Sequence, residues 1–430
     1  MEIQQLYNSK KTTGEDAIRH IQAGQRVVIG HCGGEPSYLI HLLAEHKDWF
    51  HEVEIVQLLP LGMSPFIRRE MEGHFHYHSI FVGDATREAV AEGRADYTPC
   101  FFHQVPRLFR TTLPVDVALI QVTEPDEDGY CSFGVSVDYI KEAAEQAKIV
   151  IAQVNREMPR TRGDAWIHIS RIDYIVEHDR PILQLPRPYV GKEEQAIGRH
   201  CAELIHDGDT LQIGIGGIPE AVLGALKGKR NLGIHSELIS EGVMELMELG
   251  VITNTQKEIN KGKTVASFIL GGKRLFDFVH DNPQIEMYPI DYVNHPLVIM
   301  QHRNFVSINS CIQVDLMGQV VAETIGSMQI SGVGGQVDFV RGAAMAENGR
   351  SIIAMTSTAL HGKVSKIVPV ITDGAAITTS RNDVDYVITE YGIAALKGRS
   401  LRKRAEALIA IAHPKFREEL KKDWEKRFQR

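Results

Sequence analysis

Apolar positions along the chain fall into short dense runs, interrupted by no more than single polar residues and separated by longer stretches of mixed character. Val115 to Val122, Ile149 to Val154, Ile352 to Met355 and Tyr386 to Thr389 are four to eight residues long and rich in β-branched side chains. Runs of that length and composition predict strands covered on both faces. Val53 to Leu58, Tyr174 to Val176, Leu232 to His235, Thr264 to Leu270, Val298 to Met300 and Ala375 to Thr378 read as further strands. Helical periodicity separates them, at Ser37 to Glu45, Glu193 to Leu204 and Glu220 to Leu226. Strands alternating with helices predict an α/β fold of open, mainly parallel sheets.

A weak internal repeat divides the chain. His20 to Pro36, HIQAGQRVVIGHCGGEP, resembles Leu204 to Pro219, LIHDGDTLQIGIGGIP. Each copy reads helix end, glycine turn, strand, glycine-rich loop and helix, the opening of a βαβ unit. Two similar α/β domains are therefore expected. The stretch Gln184 to Lys192 carries two prolines and a glycine and reads as the linker, which places the domains at 1–190 and 191–430. Pro414 to Arg430 reads as a proline-started, highly charged helix to which no chemistry is assigned.

Composition narrows the function classes. The 430 residues are 43% hydrophobic and 24% charged with a net charge of −8, which suits folded domains and disfavours a general basic field for nucleic acid. The start, Met1-Glu2-Ile3-Gln4-Gln5, lacks a basic segment followed by an apolar one, and no uncharged apolar run approaches the roughly 18–20 residues that span a bilayer. A soluble cytoplasmic protein is the expectation. Cys32, Cys100, Cys131, Cys201 and Cys311 are odd in number and widely spaced, signalling neither a disulfide framework nor a zinc site.

Three segments could carry chemistry. Gly214-Ile-Gly216-Gly217-Ile-Pro219 joins a strand to a helix, where unpaired N–H groups cradle an anion or oxyanion, or where the glycines merely permit a tight turn. Glu237 closes a short strand in Gly-Ile-His-Ser-Glu-Leu-Ile-Ser-Glu-Gly, at the sheet edge where open α/β folds bind ligands; as a bare sequence feature it is equally a surface or capping acid. Its rival Glu241 precedes a helical pattern and suits a capping role. Ser331 to Phe339 is a second glycine loop, running into a helix expected over Val337 to Glu347 with Asp338 in its first turn. A dinucleotide reading is open because Glu237 stands where a ribose-binding acid would, but Pro219 replaces the third glycine of that motif.

These segments, with Tyr292-Val-Asn294-His-Pro, Ile308-Asn-Ser-Cys-Ile-Gln-Val-Asp315, Gly332-Val-Gly-Gly-Gln-Val-Asp-Phe339 and Thr379-Ser-Arg-Asn-Asp-Val-Asp385, resemble the acetyl-CoA hydrolase/transferase family, and within it the 4-hydroxybutyrate and butyryl-CoA:acetate CoA-transferases. The likeness runs from Gly30-His-Cys-Gly-Gly-Glu-Pro36 to Ile411-Ala-His-Pro414. It implies that Glu237 is a nucleophile forming a glutamyl-CoA thioester, and that Asn294 with the Gly332 N–H forms an oxyanion hole. By the same resemblance Gly214, Gly216, Gly217, Ile312 and Gly335 line a coenzyme A channel. Coenzyme A is then a cosubstrate, no cofactor is tightly bound, no metal is needed, and a homodimer or higher homo-oligomer is expected. The resemblance also implies a cleft between the domains, its acid pocket walled by Gly30 to Pro36 and the loop Glu124 to Ser132.

Other readings stand beside CoA transfer: an acyl-CoA hydrolase, a CoA- or nucleotide-binding module without turnover, and an NAD-dependent oxidoreductase. His74-Phe-His76-Tyr-His78 could converge on a metal from one strand face. With no carboxylate or cysteine near at ligand spacing, a half-buried sheet edge is the preferred reading. His31 is read either as facing the acyl pocket or as a satisfied core residue, and His235 is similarly open.

Overall fold

The computed structural model describes residues 3–62 and 64–428. The chain forms two compact units, one running up to Pro186 and including Val265–Val293, the other Arg187–Thr264 with Asn294–Arg430. The excursion of 265–293 back to the first unit has no signature in a linear reading of the chain.

The first unit is built on a seven-stranded, fully parallel sheet. Arg26–Ile29 lies inside it. Val53–Gln57, Phe75–Ser79 and Ala95–Tyr97 follow in order on one side, and Val117–Val122, Ile149–Val154 and Tyr174–Glu177 on the other. The chain thus reverses direction of travel at Arg26–Ile29, a topological switch point, and Gly30 to Pro36 lies at its carboxyl end. Ser37–Glu45 buries Leu39, Ile40, Leu42 and Leu43 against Val27, Ile29 and Ile55. One apolar helix stripe and one fully apolar strand face thereby share a core.

The second unit repeats the plan with a six-stranded sheet. Thr210–Ile213 has Gly233–Ile234 on one side and Phe305–Ser310, Arg350–Ala354 and Tyr386–Thr389 successively on the other, all parallel. Gly392–Ala395 closes the far edge antiparallel. The switch point is again the first strand, and Gly214 to Gly217 leaves its carboxyl end.

Two expected strands are not strands. Val298 to Met300 lies in and just after the helical turn Pro296–Ile299: proline at its first position and the His295 ring accepting from Leu297 N start a helix that the β-branched run does not override. Ala375 to Thr378 forms no strand ladder. The hydroxyls of Thr324 and Thr378 take the N–H groups of Ala376 and Ala322, the N–H groups of Thr378 and Thr379 both go to the Val320 carbonyl, and a β-bridge to Val320 forms at Thr379. Thr264 to Leu270 is broken into Thr264–Ala266 and Phe268–Ile269. The final helix spans Pro414–Phe428; Gln429 and Arg430, like Met1 and Glu2, lie outside the described residues.

All five cysteines are free thiols, four of them buried. Among the described residues no helix is long and apolar enough to cross a membrane.

Candidate active site

The site of the second unit begins with Ser236. Its hydroxyl donates to the carbonyl of Ile213 at 3.0 Å and accepts from the N–H of the same residue at 3.2 Å. This side-chain clasp fastens the chain leaving Gly233–Ile234 to the end of the switch-point strand. Beneath it the buried Lys257 donates to the Ile234 carbonyl at 2.7 Å, and Asn254 Oδ1 accepts from Ile234 N at 2.9 Å. The half-buried Glu237 is thus carried on a backbone whose polar groups are engaged on both sides.

Asn294, fully buried, donates from Nδ2 to Glu237 Oε2 at 2.8 Å. Gly335 completes the group. A Cβ at that position would fall 2.0 Å from Glu237 Oε2 and 2.4 Å from Asn294 Nδ2, so only glycine lets the loop backbone close over the pair. Gly335 caps the helix Gln336–Met345, whose start is fixed by Gln336: Nε2 donates to Ser310 O at 2.7 Å and Oε1 accepts from Thr379 at 2.9 Å. Asp338 is buried in the first turn of that helix, where its charge complements the dipole. Residues 57 and 41 positions apart in sequence therefore meet at one carboxylate.

Gly332 is buried three residues upstream in the same loop. At the switch point, Gly216 has φ +117° and caps the helix Gly217–Ala225 with no side chain spent on its first N–H groups. Gly214 has open space where a Cβ would be, and Ile215 is exposed. The result is an uncapped helix N-terminus behind a glycine loop, a place suited to an anionic or polar ligand. Ile312 is half-buried, and its N–H is already given to the Val321 carbonyl at 2.8 Å, leaving only its carbonyl and side chain for a ligand.

Several candidates fall elsewhere. Glu241 starts the helix Glu241–Glu248 behind Ser240. His235 turns into the interior, its ring 4.8 Å from that of His302. In the first unit His31 is fully buried, with Nε2 2.9 Å from Asp138 Oδ2 and Nδ1 3.3 Å from Cys32 Sγ, the satisfied core histidine. Burial works against its charge, but Asp138 prevails and raises its pKa well above the usual value. Asp138 also accepts from Ser136 at 2.5 Å and Tyr139 N at 2.7 Å.

The histidine cluster requires a correction. Phe75–Ser79 is not an edge strand, since Ala95–Tyr97 covers it, and neighbouring strands do supply carboxylates. His76 meets Asp96 at 2.7 Å, His78 meets Glu54 at 2.8 Å and Thr98 at 2.7 Å, and His74 bonds the Phe50 carbonyl at 3.0 Å. Each ring has its own partner. Among the described residues no three His, Cys, Asp or Glu side chains are placed to hold a metal ion.

Known proteins share this arrangement of segments. Models of the acetyl-CoA hydrolase/transferase N-terminal and C-terminal domains match residues 1–185 and 271–424. The chain is 58% identical over 429 residues to a 4-hydroxybutyrate coenzyme A transferase of Clostridium kluyveri, covering 100% of both. It is 44% identical to a succinyl-CoA:cyclohexane-1-carboxylate CoA transferase of Geobacter metallireducens, over 96% of this chain and 94% of that one. The crystal structure of a 4-hydroxybutyrate CoA-transferase from Porphyromonas gingivalis superposes with a TM-score of 0.87 at 43% identity, over 99% of this chain and 100% of that one. An acetyl-CoA hydrolase of Neurospora crassa is 26% identical over 73% of this chain and 66% of its own.

Proposed function

The chain belongs to the acetyl-CoA hydrolase/transferase family, and from that premise we propose that it transfers coenzyme A between short acyl-CoA esters and free carboxylic acids, with Glu237 as nucleophile. The acids in view are 4-hydroxybutyrate, butyrate and acetate. The observation that carries the reading is the Glu237 carboxylate, hydrogen-bonded at 2.8 Å to a buried amide and covered by Gly335. That the named transferases match over the whole chain and the named hydrolase over part of it supports transfer over hydrolysis.

In this mechanism a carboxylate oxygen of Glu237 attacks the thioester carbonyl carbon. The tetrahedral oxyanion collapses, expels CoA thiolate and leaves an acyl-glutamyl anhydride. The thiolate then attacks the glutamyl carbonyl, the free acid departs, and a glutamyl-CoA thioester remains. An incoming carboxylate runs the same steps backwards, giving ping-pong kinetics. Asn294 Nδ2, already at Glu237, is the donor for the oxyanion that forms on the glutamyl carbon, with the Gly332 N–H as its partner. Gly214, Gly216 and Gly217 admit the cosubstrate to the helix N-terminus, and Ile312 and Gly335 line its path. No tightly bound cofactor enters. A homodimer or larger homo-oligomer in the cytoplasm belongs to the same reading, and light scattering measures its order.

The test is mass spectrometry of intact protein and peptides after incubation with butyryl-CoA and no acceptor. A single adduct of CoA minus water on the Glu237 peptide, absent in Glu237→Gln, is expected. Glu237→Asp should be severely impaired, because its shorter arm misplaces the nucleophile by more than about 1 Å, an error that costs on the order of 10² in rate. Steady CoA release without adduct would instead make the protein a hydrolase; neither adduct nor release would leave a binding module or a different substrate class.

A further inference from the structure

Arg187, the first residue of the second unit, sits between two helices that lead to the two halves of the site. Its Nε donates to Glu220 Oε1 at 2.7 Å, and Nη2 reaches the same oxygen. Nη1 donates to Glu245 Oε1 at 2.5 Å and Nη2 to Glu245 Oε2 at 3.1 Å. Glu220 lies in the first turn of Gly217–Ala225, directly behind the glycine loop, and Glu245 lies in Glu241–Glu248, which starts four residues after Glu237.

The packing leaves little slack. Where the helices meet, a Cβ on Gly242 would fall 2.7 Å from Leu223 Cδ1 and 3.1 Å from Glu220 Oε2. The segment after Arg187 also touches the loop, since the Tyr189 carbonyl would be 2.9 Å from a Cβ on Gly217. A planar guanidinium can hold two carboxylates in fixed directions, which a single ammonium cannot.

We propose that Arg187 is a positioning residue for the CoA-transfer reaction: by clamping Glu220 and Glu245 it sets the distance between the glycine loop and Glu237. This rests on the reading of Glu237 as nucleophile. The Arg187 side chain is 44% exposed, whereas those of Glu220 and Glu245 are 9% and 24% exposed, so the clamp is open to solvent on the arginine side only and removing it also costs some stability. Its effect on geometry is therefore read at temperatures where the variants stay folded.

The test is single-turnover formation of the Glu237 adduct from butyryl-CoA, alongside steady-state kcat, KM and thermal unfolding, for wild type, Arg187→Ala, Arg187→Lys and Glu220→Gln/Glu245→Gln. Both Arg187 variants should form adduct about 10- to 100-fold more slowly, as expected for a misplaced nucleophile, at temperatures where thermal unfolding shows each variant fully folded. The double glutamine variant should show a similar loss, and adding Arg187→Ala to it should cost no more, because one clamp is removed either way. Adduct rates within twofold of wild type in Arg187→Ala would overturn the role. So would full activity in Arg187→Lys, or a rate loss that merely follows unfolding. If wild type forms no adduct at Glu237, the functional reading falls and this role with it.

Discussion

The amide of Asn294 is oriented by Glu237. Nδ2 donates to Oε2 at 2.8 Å, while Oδ1 is buried and has no hydrogen-bond partner among the described residues. Turning the amide over would set its oxygen against a carboxylate oxygen, so the carboxylate decides the orientation and the unpartnered oxygen is the cost of it.

Removing that amide should therefore harm turnover much more than folding. Asn294→Ala is expected to lower kcat on the order of 10², the loss typical of one aimed oxyanion donor, with unfolding free energy changed by only about 1 kcal/mol. Asn294→Asp should be worse in kcat, since it faces one carboxylate with another. Denaturant melts and steady-state assays on the two variants check the split; equal kcat in both would argue that donation to Glu237 is not what Asn294 supplies.

Two glycines make an opposed pair of probes. Gly335→Ala drives a methyl into Glu237 Oε2 and Asn294 Nδ2 and should abolish adduct formation. Gly214→Ala meets no atom within 4 Å and has no left-handed backbone to lose. It should fold normally and act only through the cosubstrate, seen as a raised KM for acyl-CoA. An unchanged KM would remove Gly214 from the CoA path.

The first unit carries a pH dependence of its own at Glu35. This carboxyl is 2% exposed, and burial raises its pKa from 4.5 to about 7, opposed by N–H groups of Leu61 and Gly62. The unfolded chain ionises first as pH rises above about 4.5, so the folded state binds the extra proton between there and about 7 and loses stability over that interval. The loss is bounded by about 3 kcal/mol. Glu35→Gln, which keeps an acceptor for the loop, should match wild type in urea unfolding at pH 4 and exceed it at pH 8. The same stability difference at both values would sink the assignment.

Much of this was legible in the sequence because parallel strands buried on both faces leave dense apolar runs, as at Val117–Val122 and Ile149–Val154, where only Gln121 and Gln153 interrupt. Phe305–Ser310 escaped that signal although it adjoins the switch-point strand. It interleaves Ser307, Asn309 and Ser310 with apolar residues, and Asn309 is held by the buried Gln212 at 3.1 Å. Polar groups satisfied by a neighbouring strand look like loop to any reading of one segment at a time. The proximity of Glu237, Asn294 and Gly335 had no local signature either and came only through resemblance of motifs. The carboxylates beside His76 and His78 were invisible for the same reason, since Asp96 and Glu54 belong to other strands.

The return of Val265–Val293 to the first unit has a consequence for synthesis. As the chain emerges from the ribosome, the first 186 residues lack the ring of Phe268 beside His31 and the strand Ile285–Met287 that pairs with Arg162–Gly163. That unit must wait, incomplete, while more than seventy residues of its neighbour are made. Neither unit is a contiguous block that can be expressed by cutting the gene at the linker, and the two mature on overlapping schedules.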